Sequence, residues 1–289
     1  MKEIVKEKIA SLLSGDEEIQ SVEQLGGMTN QNYLVKSTSN QYIVKFFGKG
    51  TDKLIDRQNE KFNLELLKDL KLDVENYLFD IEAGIKVNQY IENAETLNLN
   101  TIKTKFEKIA PILQTIHASG KELKGEFAPF DEIIKYESLI QGEIFYPNYE
   151  DVRKSVFSLK EELEQIGIEK KSCHIDLVPE NFIEAPDGHL YLIDWEYSSM
   201  NDPMWDLAAL FLESEFTPEE EENFLAHYES EKTPVSREKI RIYKILQDII
   251  WSLWTIYKEE NGADFGDYGI TRYNRAVKEL QSQGGIDED

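Results

Sequence analysis

The sequence predicts an α+β chain in two lobes: a small antiparallel sheet with one helix, then a larger and mainly helical part. Three observations carry this. Up to about Ile91, short apolar stretches rich in Val, Ile, Tyr and Phe recur between Gly, Asn and Ser, as strands do. From Thr101 onward apolar residues fall at helical spacing, as at Phe106, Ile109, Ile112, Leu113 and Ile116. A chain of 289 residues also exceeds one ordinary core, so two lobes are the natural division.

Met1 to Lys8 has the pattern of an amphipathic helix and lacks the apolar centre of a secretory signal. Ser21 to Leu25 reads as a strand leading into Gly26-Gly27-Met28-Thr29-Asn30. Strands at Tyr33–Val35 and Tyr42–Phe46 follow, joined by the polar turn Ser37–Asn40. A Gly pair between strands lets main-chain amides approach a phosphate closely, and it equally suits an ordinary hairpin turn. Neither a Walker pattern nor G-x-G-x-x-G is present. Lys45 stands late in the third strand, between Val44 and Phe46. Asp56-Arg57-Gln58-Asn59-Glu60 opens a helix whose apolar positions are Phe62, Leu64, Leu66 and Leu67. Glu60, in its first turns, faces back toward the sheet and is expected to pair with Lys45.

Tyr77–Ile81 and Ile85–Ile91 form a hairpin through Glu82-Ala83-Gly84. The pattern then changes, which places the boundary near Asn88 to Glu92 and gives lobes of residues 1–91 and 92–289. In a nucleotide-binding small lobe, the main chain of Gln89, Tyr90 and Ile91 would meet the base. Further on, a helix spanning Leu207 to Leu212 follows Pro203, and Thr217-Pro218-Glu219-Glu220 is an N-cap with proline at the first helical position. A long helix from about Arg237 to Glu259 carries Trp251 and Trp254. Gly262 to Gly269 reads as a loop before the last helix, and Gly284 to Asp289 is expected to fray.

Composition limits the function. Fifty-six acids against thirty-two bases leave a formal charge of −24, so nucleic acid is not an expected partner. A cationic substrate would be attracted, and the same charge serves solubility. No apolar run approaches the roughly 18 residues of a membrane helix, so no membrane association is expected. The lone Cys173 can form no internal disulfide, which suits a reducing cytoplasm. It reads as a small buried filler and not as a nucleophile.

The chemistry lies between Cys173 and Trp205. His174, Asp176 and Asn181 have the spacing H-x-D-x-x-x-x-N, and Asp194 ends the apolar run Leu190-Tyr191-Leu192-Ile193. Between them Asp187-Gly188 is a type I′ hairpin signal, which would bring Asp194 back beside the other two. Phosphoryl transfer to an alcohol needs such a set. One carboxylate accepts the hydroxyl proton, while an amide oxygen and a second carboxylate hold Mg2+ against the phosphates. Asp176 takes the first role; Asn181 and Asp194 take the second. His174 is expected to brace the loop.

With Leu192-Ile193-Asp194-Trp195-Glu196-Tyr197-Ser198-Ser199 after that loop, the chain resembles the choline kinase family, within the broader aminoglycoside phosphotransferase-like kinases, and its bacterial members most. The likeness runs through Gly26–Asn30, Lys45, Arg57 with Glu60, the catalytic stretch, Asp206 and Trp251-Ser252-Leu253-Trp254. It implies a protein-kinase-like bilobal fold, ATP with Mg2+, Asp176 as base, and Asn181 and Asp194 as metal ligands. It also implies that Glu196 supports the metal or the substrate side. Val178 stands where protein kinases place a lysine, and no Ala-Pro-Glu segment follows Asp194, so a protein substrate is not expected.

A quaternary ammonium donates no hydrogen bond and is held by ring faces, each worth about 2 kcal/mol when desolvated. Trp251 and Trp254 are three apart on one helix, and Phe265 and Tyr268 lie in the loop after it. The resemblance places Tyr197, Trp251, Trp254 and Tyr268 around choline, with Glu213 as counter-charge; the plain alternative makes these aromatics core. The expected reaction is ATP-dependent phosphorylation of choline to phosphocholine. On the same frame, an ethanolamine kinase would need acceptors for three N–H groups, and an aminoglycoside kinase an open acidic trough. A catalytically inactive kinase-like binding protein is the remaining alternative, and the complete set Lys45, Glu60, Asp176, Asn181 and Asp194 speaks against it.

Overall fold

The structure is a computed structural model and describes residues 2–9, 12–13, 15–27 and 29–282. Met28 of the glycine loop and the end from Gly284 to Asp289, expected to fray, lie outside the described residues. In chain order the elements are α1 (Lys2–Ile9), β1 (Ile19–Gln24), β2 (Gln31–Ser37), β3 (Gln41–Phe46), α2 (Arg57–Leu67), β4 (Asn76–Asp80), β5 (Ile85–Gln89) and β6 (Glu95–Thr96). There follow α3 (Phe106–His117), α4 (Pro129–Leu139), α5 (Tyr149–Ile166), β7 (Lys171–Cys173), β8 (Phe182–Glu184), β9 (Leu190–Leu192) and β10 (Ser199–Asn201). The chain closes with α6 (Pro203–Glu213), α7 (Pro218–Tyr228), α8 (Arg237–Glu260) and α9 (Tyr268–Ser282). This is the α+β architecture expected, with an antiparallel sheet in the N-terminal part and helices dominating the rest.

Two compact units divide the chain: Met1–Asn98 with Glu180–Tyr197, and Leu99–Pro179 with Ser198–Asp289. The division therefore falls a few residues beyond Ile91, and the hairpin carrying Asp194 belongs with the first unit. In that unit a five-stranded sheet runs β1-β2-β3-β5-β4, each neighbour antiparallel. Register brings Tyr33, Val44 and Val87 into line across β2, β3 and β5. Val5 and Ile9 of α1 join Val35, Val44, Ile85 and Val87 in one core, all of them without solvent exposure. Strands β6, β8 and β9 make a second small antiparallel sheet.

Helix α2 begins where expected, with Asp56 Oδ1 capping the Gln58 and Asn59 N–H groups at 2.9 and 3.1 Å. Its buried face differs from the apolar pattern: Arg57, Glu60, Asn63 and Leu67 are covered, while Phe62 is 40% exposed. The helix docks through charge, not through an apolar stripe. The turn between β8 and β9 also differs from the two-residue form. Only Gly188 has a positive φ, of 86°, and the Gly188 N–H closes onto the Ala185 carbonyl at 2.8 Å. This longer turn still returns the chain antiparallel.

The second unit is built on α8, whose residues from Ile245 to Tyr257 are all buried. Helices α4, α5, α6 and α9 pack against it. The N-cap expected at Thr217 is present, and the structure completes it as a capping box: Glu220 N–H reaches Thr217 Oγ1 at 3.3 Å, and Thr217 N–H reaches Glu220 Oε2 at 2.8 Å. Helices α4 and α5 add to the expected elements, and Val152, Val156, Leu159 and Leu163 form a regular buried stripe along α5.

Candidate active site

The Asp176 loop is held from α6. After β7 the chain turns through Ile175 with φ of 78°, a left-handed conformation that a β-branched residue rarely adopts and that costs roughly 1–3 kcal/mol. Asp206 offsets this. Its Oδ2 accepts the His174 N–H and its Oδ1 the Ile175 N–H, both at 2.8 Å. Trp205 Nε1 donates to the Ile175 carbonyl at 3.0 Å. The carboxylate is itself oriented by His117 Nε2 at 3.0 Å, whose other ring nitrogen meets Tyr228 Oη at 2.7 Å. His174 is fully buried and Asp176 half-buried. Cys173 is also fully buried, with burial pushing its thiol pKa up, as suits a filler.

Asn181 follows five residues after Asp176 and is 8% exposed at the start of β8. Its carbonyl accepts the Ile193 N–H at 2.8 Å, which sets the Asn181 and Asp194 ends of the hairpin side by side. Asp194 leaves β9 with φ of 68°, a region that Asp tolerates better than most residues. Its carboxylate meets Lys45 Nζ at 2.8 Å.

That contact corrects the expected Lys45–Glu60 pair. Glu60 is instead bound by Lys86 of β5 and, at 2.6 Å, by Arg57. Lys45 and Lys86 are direct cross-strand partners, so one sheet face presents two buried lysines, one to each acid. Burial alone would lower the pKa of Lys86, but Glu60 and Asp194 outweigh it and push it up to about 12. The sequence reading missed Lys86. Its cue was Lys86 between Ile85 and Val87, the same setting as Lys45.

Arg57 ties this cluster to the glycine loop. It donates to Glu196 Oε2 at 2.9 Å and to Asn30 Oδ1 at 3.0 Å, and lies 4.1 Å from the Phe47 ring centre. Asn30 completes the triangle by donating to Glu196 at 2.7 Å. Asn30, expected with Gly26, Gly27 and Thr29 at the nucleotide, has both ends of its amide engaged and struts the loop. Glu196 is buried and held by Arg57 and Asn30. Burial, then the Asp194 charge, raises its pKa.

The glycines serve close packing. A side chain on Gly27 would strike the Asn30 carbonyl at 2.5 Å, and one on Gly48 the Thr29 carbonyl at 1.9 Å. Gly26 is exposed and accepts Asn32 Nδ2 at 2.8 Å, and Thr29 is half-buried. In the linker Gln89 spends its N–H on the Glu75 carbonyl at 2.8 Å, so it is not a free donor for a base; Ile91 accepts the Ala94 N–H at 3.3 Å. Asp73 was also missed. Leu72 accepts the Leu192 N–H at 2.8 Å, which sets Asp73 close to Asp194. Burial raises its pKa to about 7 although Lys86 and Lys45 pull the other way.

In the second unit α8, the loop after it and the start of α9 present a run of rings; Tyr268, expected in the loop, is the first residue of α9. Trp251 and Trp254 meet edge-on at 6.3 Å, Trp254 and Phe265 lie 5.0 Å apart, and Phe265 and Tyr268 6.5 Å. Trp254 Nε1 is buried and has no hydrogen-bond partner among the described residues. Burial raises the Tyr268 pKa; Arg272 opposes this, and Glu213 and Asp176 add to it. Asp176 is thus an electrostatic neighbour of the Tyr268 hydroxyl. Glu213 is no free counter-charge: Arg272 holds it at 2.5 Å. Tyr197 is buried in the first unit, in the 3-10 turn Trp195–Tyr197.

Among the described residues no helix is long and apolar enough to cross a membrane. A family model described as choline/ethanolamine kinase matches residues 22–277. Protein LicA of Haemophilus influenzae is 32% identical over 269 residues, covering 89% of this chain and 79% of its own. The crystal structure of choline kinase LicA from Streptococcus pneumoniae is 75% identical, with a TM-score of 0.95 over 98% of this chain and 99% of that one. A crystal structure of LicA in complex with AMP is 76% identical, with a TM-score of 0.92 over 97% of this chain and 98% of that one.

Proposed function

The chain belongs to the choline/ethanolamine kinase family and is a phosphotransferase, and on that premise we propose that it transfers the γ-phosphoryl group of ATP to the hydroxyl of choline, giving phosphocholine. The observation that carries the choice of acceptor is the run of rings Trp251, Trp254, Phe265 and Tyr268, whose Tyr268 end is an electrostatic neighbour of Asp176. Ring faces hold a quaternary ammonium without asking it for hydrogen bonds. The nucleotide reading is supported by the AMP complex of the LicA relative.

In this reading Asp176 accepts the proton of the choline hydroxyl as its oxygen forms the new bond to phosphorus, and ADP leaves in line. The Asp206 clamp keeps Asp176 at a fixed position, which is what a general base needs. Lys45 positions the phosphates, and Lys86 with Arg57 fixes Glu60 behind it. The glycine loop, strutted by Asn30, covers the phosphates. Tyr90 and the Ile91 N–H remain as main-chain partners for the base.

The residues fit Mg2+. Asn181 and Asp194 offer hard oxygen donors from the two ends of one hairpin. Asp73 and Glu196, whose pKa values burial raises first of all, are also electrostatic neighbours of Asp194, and a divalent cation would neutralise these gathered acids. When bound, Mg2+ supplies charge neutralisation to the phosphate oxygens.

The family description also includes ethanolamine. The test is kcat/KM for choline, ethanolamine and an aminoglycoside with ATP. The missing methyls are worth roughly 1–3 kcal/mol, so choline should exceed ethanolamine by at least about tenfold. Equal use of the two would return the acceptor to the family level.

A further inference from the structure

Arg272 is charged, nearly without solvent, and used by none of the chemistry above. It is 3% exposed on α9. One guanidinium nitrogen, Nη1, bridges Glu213 Oε1 of α6 at 2.5 Å and Tyr268 Oη at 2.8 Å. Its Cζ stands 5.2 Å from the Tyr268 ring centre, and Nε faces Asp248 Oδ1 of α8 at 3.1 Å. Arg275 closes the far side of Asp248 with two bonds of 2.6 Å. Two arginines and two acids thus cancel within one cluster that joins α6, α8 and α9.

We propose that Arg272 is the positioning and specificity-determining residue of the acceptor site: it fixes Tyr268 and takes the Glu213 carboxylate out of play, so that quaternary and primary ammonium groups are told apart by ring faces alone. This rests on the reading that Trp251, Trp254 and Tyr268 receive the acceptor. The logic is one of hydrogen-bond demand. A primary ammonium brings three N–H donors and loses affinity wherever they go unanswered. Glu213 would answer them if it were free, being with Asp176 one of the two carboxylates whose charge acts on the Tyr268 hydroxyl. Bound to Arg272 it does not. A trimethylammonium group makes no such demand and is indifferent to that loss.

The experiment compares kcat/KM for choline and ethanolamine, the KM for ATP and the thermal midpoint in wild type, Arg272→Met, Arg272→Met with Glu213→Gln, and Arg272→Lys. Arg272→Met frees Glu213, so the ethanolamine-to-choline ratio should rise about tenfold while the KM for ATP stays within about twofold. Adding Glu213→Gln should return the ratio to the wild-type value. Arg272→Lys keeps a charge on Glu213 but loses the planar bridge to Tyr268. It should raise the choline KM about fivefold with the ratio unmoved. An Arg272→Met enzyme that loses both substrates equally would show a merely structural arginine and overturn the proposal. Should that variant not fold, an unchanged choline KM in Arg272→Lys overturns it instead. A wild type that does not phosphorylate choline refutes the underlying reading; one that does, with an unmoved ratio in Arg272→Met, refutes this inference alone.

Discussion

Asp176 and its neighbours divide the labour at the scale of single side chains. Asp176→Asn keeps the size and the clamp from Asp206, so the fold and nucleotide affinity should survive while turnover falls by about 100-fold or more. Steady-state kinetics with choline check this, and near wild-type turnover would remove Asp176 from the base role. The lysine pairing makes a sharper claim. Double-mutant cycles on stability should give Lys86→Met and Glu60→Gln a coupling of about 1 kcal/mol or more, because the pair is buried. Lys45→Met and Glu60→Gln should be nearly additive, since Lys45 faces Asp194. Asp73 gives a pH signature. Its folded pKa of about 7 lies above the ordinary value of 3.8, so the folded state binds the extra proton between the two. Its contribution to stability is full below that range and is lost as the pH rises through about 7. Denaturant midpoints on either side of the range should show this fall, and Asp73→Asn should flatten it.

At the scale of elements, the Asp176 loop is a short strand end strapped to the first turn of α6. Asp206→Asn retains one acceptor where two main-chain N–H groups now bond, leaving one buried donor unmet at a cost of about 1–3 kcal/mol. The thermal midpoint and choline turnover should drop together, and a variant unchanged in both would show that the left-handed Ile175 needs no support. Most elements were legible. Helices α3, α7 and α8 announced themselves by period and by caps, as at Thr217. Helix α5 carries an equally regular stripe, from Val152 to Leu163, that marks it as a helix by the same period. Of the buried polar face of α2 only Glu60 was legible, as an acid turned toward the sheet; Arg57 and Asn63 look solvated along the chain, and the true partner of Glu60 on β5 and of Arg57 beyond β9 is not written there.

At the scale of the molecule, the net charge of −24 sets a background attractive to a cation, and in the proposed reading selection falls to the rings. Trp254→Ala should raise the choline KM and narrow the preference over ethanolamine, while ATP affinity stays nearly constant; Trp254→Phe, which keeps a ring face, should be milder. Isothermal titration with each ligand separates the two effects. Loss of ATP binding in Trp254→Ala would make that ring ordinary core.

The sequence by itself determined the fold class, the family and most of the elements, because periodicity, caps and the H-x-D-x-x-x-x-N spacing are local and survive being read along a line. Only the tertiary structure decided which charge answers which. Lys45 turned to Asp194, Lys86 took Glu60, Arg57 and Asn30 claimed Glu196, and Arg272 neutralised Glu213. Arg57 and Glu196 are 139 positions apart, and Arg272 and Glu213 are 59 apart. Coulomb energy depends on distance through space and on the solvent removed, and neither quantity is written in the spacing along the chain.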